Sequence, residues 1–117
     1  MPMHELSIAL SIIDSAVAEL ELQGARQATA VHLRLGRLAG VDKEALQFSY
    51  GIATQETPLA GSQLVIEDVD VAIFCPACKK ECFTSSFPIL RCSVCGSLGE
   101  RVLHGNELEI RAMEIVA

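Results

Sequence analysis

The sequence predicts an α+β fold in which two helices pack on a three-stranded sheet, with a cysteine-rich module inserted before the last strand. Three patterns support this prediction. Two segments repeat apolar residues every three or four positions, three segments alternate apolar and polar residues, and all five cysteines fall between residues 74 and 100. Because 50% of the 117 residues are apolar, the chain can form one core with a small appended module.

The first two elements are predicted from a change in the spacing of apolar residues. Apolar residues recur at helical spacing from Leu6 to Leu20, and Gly24 is a natural end for this helix. Residues 29–38 then alternate, with Val31 and the next two odd positions apolar, as expected for a half-buried strand.

The second helix is predicted over residues 45–53, with Asp42 as its N-cap and Pro58 beyond its end. A second strand is predicted from Gln63 to Ile73. The apolar residues change from even to odd positions within this segment, which predicts a bulge or twist near Glu67-Asp68.

The last strand is predicted over residues 107–113, where alternation returns. Residues 1–73 and 101–117 would then form one α+β domain, and residues 74–100 would form the inserted module.

Composition excludes several classes of protein. The formal charge of −6 leaves no basic patch for nucleic acid. The N-terminus has no signal-peptide pattern, and no apolar run approaches the roughly 20 residues that span a bilayer. We therefore expect a cytoplasmic protein that contacts neither nucleic acid nor membrane, and whose odd number of cysteines stays reduced.

The cysteines predict a metal site. Cys75 with Cys78, and Cys92 with Cys95, form two Cys-x-x-Cys pairs separated by thirteen residues, a spacing typical of zinc knuckles and ribbons. Four thiolates complete a zinc tetrahedron and leave no position for water, so this zinc would be structural. Redox pairs without metal and an iron–sulfur cluster remain as alternatives, and Cys82 is interpreted as a spare thiol.

The module has few large apolar side chains, namely Phe74, Phe83, Phe87, Ile89 and Leu90. Metal binding must therefore supply much of its folding free energy.

The N-terminus offers a second metal site. His4 lies close to the terminal amine, and an amine, a deprotonated amide and an imidazole form fused chelate rings that suit Ni(II) and Cu(II) rather than Zn(II). On chelate chemistry alone, the simpler interpretation of His4 is a polar residue near a helix start. His32 and His104 are not included in either site.

These features resemble the HypA/HybF family of nickel-incorporation accessory proteins for nickel-iron hydrogenase maturation. The resemblance covers nearly the whole chain. Besides the two cysteine pairs, it depends on three segments of this sequence: Met3-His4-Glu5-Leu6-Ser7, Leu35-Gly36-Arg37-Leu38, and Gly105-Asn106-Glu107-Leu108-Glu109-Ile110.

The resemblance implies a nickel metallochaperone without enzymatic activity. It implies that His4 is the principal nickel ligand, that Glu5 is a nearby ligand or a group that orients the site, and that Ni(II) is delivered while zinc stays in the cysteine module. The implied partners are a hydrogenase-maturation GTPase (HypB-like) and the nickel-iron hydrogenase large subunit, with a homodimer left open.

One departure from the family pattern affects the nickel site, because Met1-Pro2 precede Met3. If Met1 is retained, Pro2 has no amide proton and interrupts the chelate. If Met1 is removed, the Pro2 amine, two amides and the imidazole could enclose Ni(II) in a plane. A third alternative is that Met1-Pro2 are additional to a native start at Met3.

Two other classes of function compete with nickel delivery. A zinc-ribbon interaction module that transports no metal is the main alternative. A metalloenzyme is disfavoured, since a four-thiolate zinc site has no place for an activated water.

Overall fold

The computed structural model describes residues 2–84, 86 and 88–117, so Met1, Ser85 and Phe87 lie outside the described residues. The chain divides into two compact units. The first consists of Met1–Leu33, Val41–Glu67 and Glu109–Ala117, and the second of Arg34–Gly40 and Asp68–Leu108. The predicted module of residues 74–100 falls within the second unit, and its boundaries remain a prediction.

One of the two three-stranded sheets formed by the described residues is accompanied by two helices. The elements are α1 (Pro2–Gln23), β1 (Gln27–Gly36), a 3₁₀ turn (Arg37–Ala39), α2 (Lys43–Ala53), β2 (Gln63–Val69) and β6 (Leu108–Val116). The three strands pair in the order β2-β1-β6. The α+β prediction of two helices with a three-stranded sheet is confirmed.

The helices of the first unit cover an apolar core. Its largest fully buried side chains include Leu20 of α1, Leu33 of β1 and Leu46 of α2, which lie at the positions that the helical and alternating patterns predict. Burial of such side chains is the main stabilising contribution, about 1.5–3 kcal/mol each.

Helix α2 begins where the sequence predicts. The Asp42 carboxylate accepts a hydrogen bond from the backbone N–H of Ala45 at 3.1 Å, as an N-cap should. Later in this helix Tyr50 is 2% exposed, and its hydroxyl lies 2.7 Å from that of Ser62. Burial raises the pKa of this phenol above its usual value.

The second unit contains a separate antiparallel sheet, whose strands are β3 (Ala72–Cys75), β4 (Lys80–Phe83) and β5 (Arg101–His104). The strands pair in the order β4-β3-β5. The central residue Ile73 pairs with Cys82 on one side and with Val102 on the other.

The prediction of a single strand from Gln63 to Ile73 is wrong. The segment forms β2, which ends at Val69, and β3, which begins at Ala72 in the other sheet. The slip in apolar phase therefore marks a change of sheet rather than a bulge within one strand. The last strand, predicted to end at Met113, continues to Val116.

Two glycines allow a close crossing of backbones within the second unit. The backbone N–H of Gly36 donates to the carbonyl of Glu107, and that of Leu38 donates to the carbonyl of Gly105, both at 2.7 Å. A Cβ atom on Gly36 would lie only 2.0 Å from the Gly105 carbonyl oxygen. Because Gly36 has an ordinary extended conformation (φ −77°, ψ 146°), this contact requires glycine for space rather than for backbone freedom.

Among the described residues, no helix is both long and apolar enough to cross a membrane.

Candidate metal centres

The four cysteines predicted to bind zinc lie together in the second unit. The sulfur atoms of Cys75, Cys78, Cys92 and Cys95 are all within 4.8 Å of one another. Sγ of Cys75 is 3.5 Å from that of Cys95, and Sγ of Cys78 is 4.0 Å from that of Cys92. A zinc tetrahedron with bonds of about 2.3 Å has sulfur–sulfur edges of about 3.8 Å, so the four thiolates fit this ion.

The first cysteine pair lies on a tight turn between β3 and β4. Cys75 is the last residue of β3, and the backbone N–H of Cys78 points at its sulfur over 3.4 Å. The turn is closed by a 2.7 Å hydrogen bond from the N–H of Lys79 to the carbonyl of Cys75. Lys79 adopts a positive φ of 55°, which reverses the chain into β4.

The second pair repeats this arrangement. The backbone N–H of Val94 lies 3.3 Å from the sulfur of Cys92, and the N–H of Gly96 donates to the Cys92 carbonyl at 2.9 Å. Cys92 also donates its N–H to Ser97 at 2.8 Å. In both pairs backbone hydrogen bonds therefore fix the first sulfur and turn the second one towards it.

Neighbouring groups make the thiols unequal. The backbone N–H of Cys95, followed by the Cys82 thiol, lowers the pKa of Cys92 to about 6. A hydrogen bond with Cys95, together with burial, raises the pKa of Cys78 to about 12. A thiol bound to zinc must be deprotonated, so zinc binding has to displace the proton that the raised pKa favours at Cys78.

Cys82 is placed closer to the metal centre than the sequence indicates. It is 7% exposed and packs in the same cluster of buried residues as Cys75 and Cys92. Its hydrogen bond to Cys92, with burial, raises the pKa of Cys82 to about 11, so it remains a thiol that donates to the Cys92 sulfur. Only the position of Cys82 in β4, opposite buried Ile73, could have indicated this burial. That position depends on the strand register, which the sequence does not show.

The residues predicted to bind nickel lie in the first turn of α1, in the first unit. His4 is exposed, whereas Glu5 is 1% exposed, and a carboxylate oxygen of Glu5 accepts a hydrogen bond from the backbone N–H of Asp42 at 3.3 Å. The two adjacent residues thus present their side chains to different surroundings. The chelate argument also depends on a terminal amine, and Met1 lies outside the described residues.

The two histidines left out of the sites each pair with a glutamate. Nε2 of His32 lies 2.9 Å from a carboxylate oxygen of Glu114, and Nδ1 of His104 lies 3.0 Å from one of Glu107.

The chain is similar to proteins of one family over nearly its whole length. A family model described as "Hydrogenase/urease nickel incorporation, metallochaperone, hypA" matches residues 3–115. A protein of Chloroflexus aggregans (strain MD-66 / DSM 9485) named Hydrogenase maturation factor HypA is 46% identical over 112 residues, which are 96% of this chain and 98% of that protein. A protein of the same name from Chlorobium limicola is 40% identical over 113 residues, 97% of each chain.

The fold is also similar to solved structures. The solution structure of the Ni metallochaperone HypA from Helicobacter pylori aligns with a TM-score of 0.69 over 97% of both chains. Because the sequence identity is 21%, this similarity supports the fold alone.

Proposed function

The chain belongs to the HypA family of hydrogenase/urease nickel-incorporation metallochaperones, and from this premise we propose that it binds Ni(II) at its N-terminus and delivers it during nickel-iron hydrogenase maturation. The observation that carries the proposal is the first turn of α1, where an exposed His4 stands next to a buried and hydrogen-bonded Glu5. An exposed imidazole can reach an ion, and the buried carboxylate holds the backbone that carries it.

Helix geometry supports a chelate at this end. The first four backbone N–H groups of a helix have no partner within the helix, so the amides of Met3 and His4 can lose protons to a metal without breaking helical hydrogen bonds. A planar set of nitrogens nevertheless requires the first turn to unwind. The affinity of the site is reduced by that cost, which suits an ion that must later be released.

Glu5 acts in this proposal as the group that positions the chelate. Its hydrogen bond to the Asp42 amide ties the start of α1 to the N-cap of α2. Direct ligation by Glu5 would require this carboxylate to leave a site that is 1% exposed. Orientation of metal ligands by nearby carboxylates is common.

Zinc has a different role. The four-thiolate set at Cys75, Cys78, Cys92 and Cys95 is closed, so it provides no route for an ion to be exchanged through an open coordination position. We assign this zinc to folding of the second unit and the Ni(II) to transport.

Partners and location follow from the same role. The ion would pass to the large subunit of nickel-iron hydrogenase with the help of a HypB-like GTPase, in the cytoplasm, where the thiols stay reduced. A homodimer is compatible with this role. No turnover of a substrate is expected, and the names of the relatives, which describe maturation factors, support this assignment.

The test is a nickel titration of zinc-loaded protein and of the His4→Ala variant, with metal content measured after equilibrium dialysis. We expect His4→Ala to lose about one nickel equivalent while retaining zinc. His32→Ala, which changes a histidine elsewhere in the first unit, should retain both metals. Identical nickel binding by His4→Ala and the unmodified protein would instead favour the zinc-ribbon interaction module.

The form of the N-terminus decides which nitrogen atoms are available. Intact-mass measurement followed by nickel-edge absorption spectroscopy reports terminus, ligand number and geometry on the same sample. A planar four-nitrogen site in protein that fully retains Met1 would contradict the chelate argument, because Pro2 interrupts the donor set.

A further inference from the structure

The pair formed by His104 and Glu107 shares no residue with either proposed metal centre. His104 is the last residue of β5, and Glu107 precedes β6 across the turn of Gly105 and Asn106. The imidazole Nδ1 lies 3.0 Å from one carboxylate oxygen of Glu107.

The surrounding backbone holds this carboxylate in place. The other oxygen of Glu107 accepts a 2.7 Å hydrogen bond from the backbone N–H of Gly105. The turn itself is fixed by hydrogen bonds from Gly36 and Leu38 to its carbonyl groups, both at 2.7 Å. The Glu107 side chain is 17% exposed, whereas that of His104 is 48% exposed, so the carboxylate is more buried than the ring that it holds.

This arrangement sets the tautomer of His104. A carboxylate accepts hydrogen bonds, so Nδ1 carries the proton and donates it to Glu107. In the neutral ring, Nε2 then keeps its lone pair. Metal-binding histidines in proteins typically donate their second ring N–H to a carboxylate in this way, which orients the ring and makes the ligand nitrogen more basic.

We infer that Nε2 of His104, held by Glu107, is an additional binding site for a borderline divalent cation such as Ni(II). Imidazole nitrogen suits this class of ion. The site supplies one protein donor, water completes the coordination, and binding is weaker than at a chelate. It shares no residue with the His4 site or with the four cysteines, so it stands independently of the proposed function.

His32 provides an internal comparison. Its Nε2 lies 2.9 Å from Glu114, but the Glu114 side chain is 65% exposed, compared with 17% for Glu107. An exposed carboxylate on a long side chain fixes a ring less well, because holding it costs side-chain entropy. His32 should therefore bind the same ion more weakly than His104.

The experiment uses zinc-loaded, ¹⁵N-labelled His4→Ala protein, so that the N-terminal chelate is disabled. Nickel chloride is added while the imidazole ¹H–¹⁵N correlations are followed by NMR, since Ni(II) coordinated mainly by water and imidazole is paramagnetic. We expect the His104 signals to broaden at lower nickel concentration than those of His32, and His104→Gln to remove this event.

A charge-removing variant tests the role of the carboxylate. Glu107→Gln keeps the size of the side chain and should weaken nickel binding at His104 about 10–100-fold, whereas Glu114→Gln should leave it unchanged. Equal broadening of His32 and His104 would overturn the inference, as would unchanged affinity at His104 in Glu107→Gln. The comparison of His32 with His104 within one molecule tests the inference even if neither glutamate variant folds.

Discussion

Replacing Gly36 by alanine should destabilise the protein strongly, although the substitution adds one methyl group. The new Cβ would lie 2.0 Å from the carbonyl oxygen of Gly105 and 2.7 Å from the backbone nitrogen of Asn106. These neighbours are backbone atoms of a turn that is fixed by two hydrogen bonds, from Gly36 and from Leu38. The clash therefore has to be relieved by separating the two chain segments.

The size of the effect follows from what that separation breaks. Two backbone hydrogen bonds contribute about 0.5–1.5 kcal/mol each, and forced overpacking costs about 1–3 kcal/mol. The free energy of unfolding should fall by about 4 kcal/mol, a large part of the about 5–15 kcal/mol typical of a domain. With a urea dependence near 2 kcal/mol per molar, the midpoint should decrease by about 2 M.

Gly51→Ala is the matched control, because a Cβ on Gly51 meets no atom within 4 Å and the residue lies inside α2. Alanine is preferred over glycine in a helix by about 0.8–1.0 kcal/mol, so this variant should be more stable than the unmodified protein. Urea unfolding of zinc-loaded proteins, followed by far-ultraviolet circular dichroism, compares the two. An unchanged midpoint for Gly36→Ala would refute the steric reasoning.

Three further predictions concern other parts of the molecule. Removal of zinc by a strong chelator should abolish amide protection between residues 74 and 100, since the module has little apolar core; protection that survives in metal-free protein, measured by hydrogen exchange, would contradict this. Cys82→Ser should retain one zinc equivalent by elemental analysis whereas Cys92→Ser should not, and equal zinc loss from both would mean that Cys82 is a ligand. Tyr50 is the only tyrosine, so absorbance near 295 nm reports its titration directly; because burial raises the pKa of its phenol in the folded state, the stability it contributes is present below pH 10 and is lost as pH rises through the raised value. Tyr50→Phe should reduce this alkaline loss of stability, and a folded-state midpoint at or below 10 would contradict the burial argument.

Local patterns predicted the elements of the first unit well, because each pattern reflects burial on one face. The alternation that begins at Thr29 corresponds to β1, and Asp42 caps α2 as its residue type indicates. The division of the segment before Cys75 into two strands was missed, since consecutive strands in different sheets produce the same apolar run as one long strand. The change of phase after Ile66 was visible, but a bulge and a change of sheet give the same signal.

Prediction of the metal sites from local sequence patterns is limited in the same way. The spacing of the cysteine pairs is a local property, and the four sulfur atoms lie together as that spacing predicts. The burial of Glu5 depends on Asp42, which is 37 positions away in the sequence, and no pattern near the N-terminus indicates this contact. The contact of Cys82 with Cys92 likewise depends on the register of β4 against β3. Long-range packing therefore decides the surroundings of the candidate ligands even where sequence identifies them.

The division of the chain has a consequence for how the protein can be recombined. The sequence passes from one compact unit to the other at four junctions, after Leu33, Gly40, Glu67 and Leu108. Neither unit is a continuous stretch, so no single truncation yields either one, and both termini belong to the first unit. A cysteine module exchanged between relatives must be spliced at two internal borders, and the short segment from Arg34 to Gly40, which carries Gly36, has to match the incoming Gly105 turn. A transfer of the whole second unit therefore requires the exchange of two internal segments, Arg34–Gly40 and Asp68–Leu108.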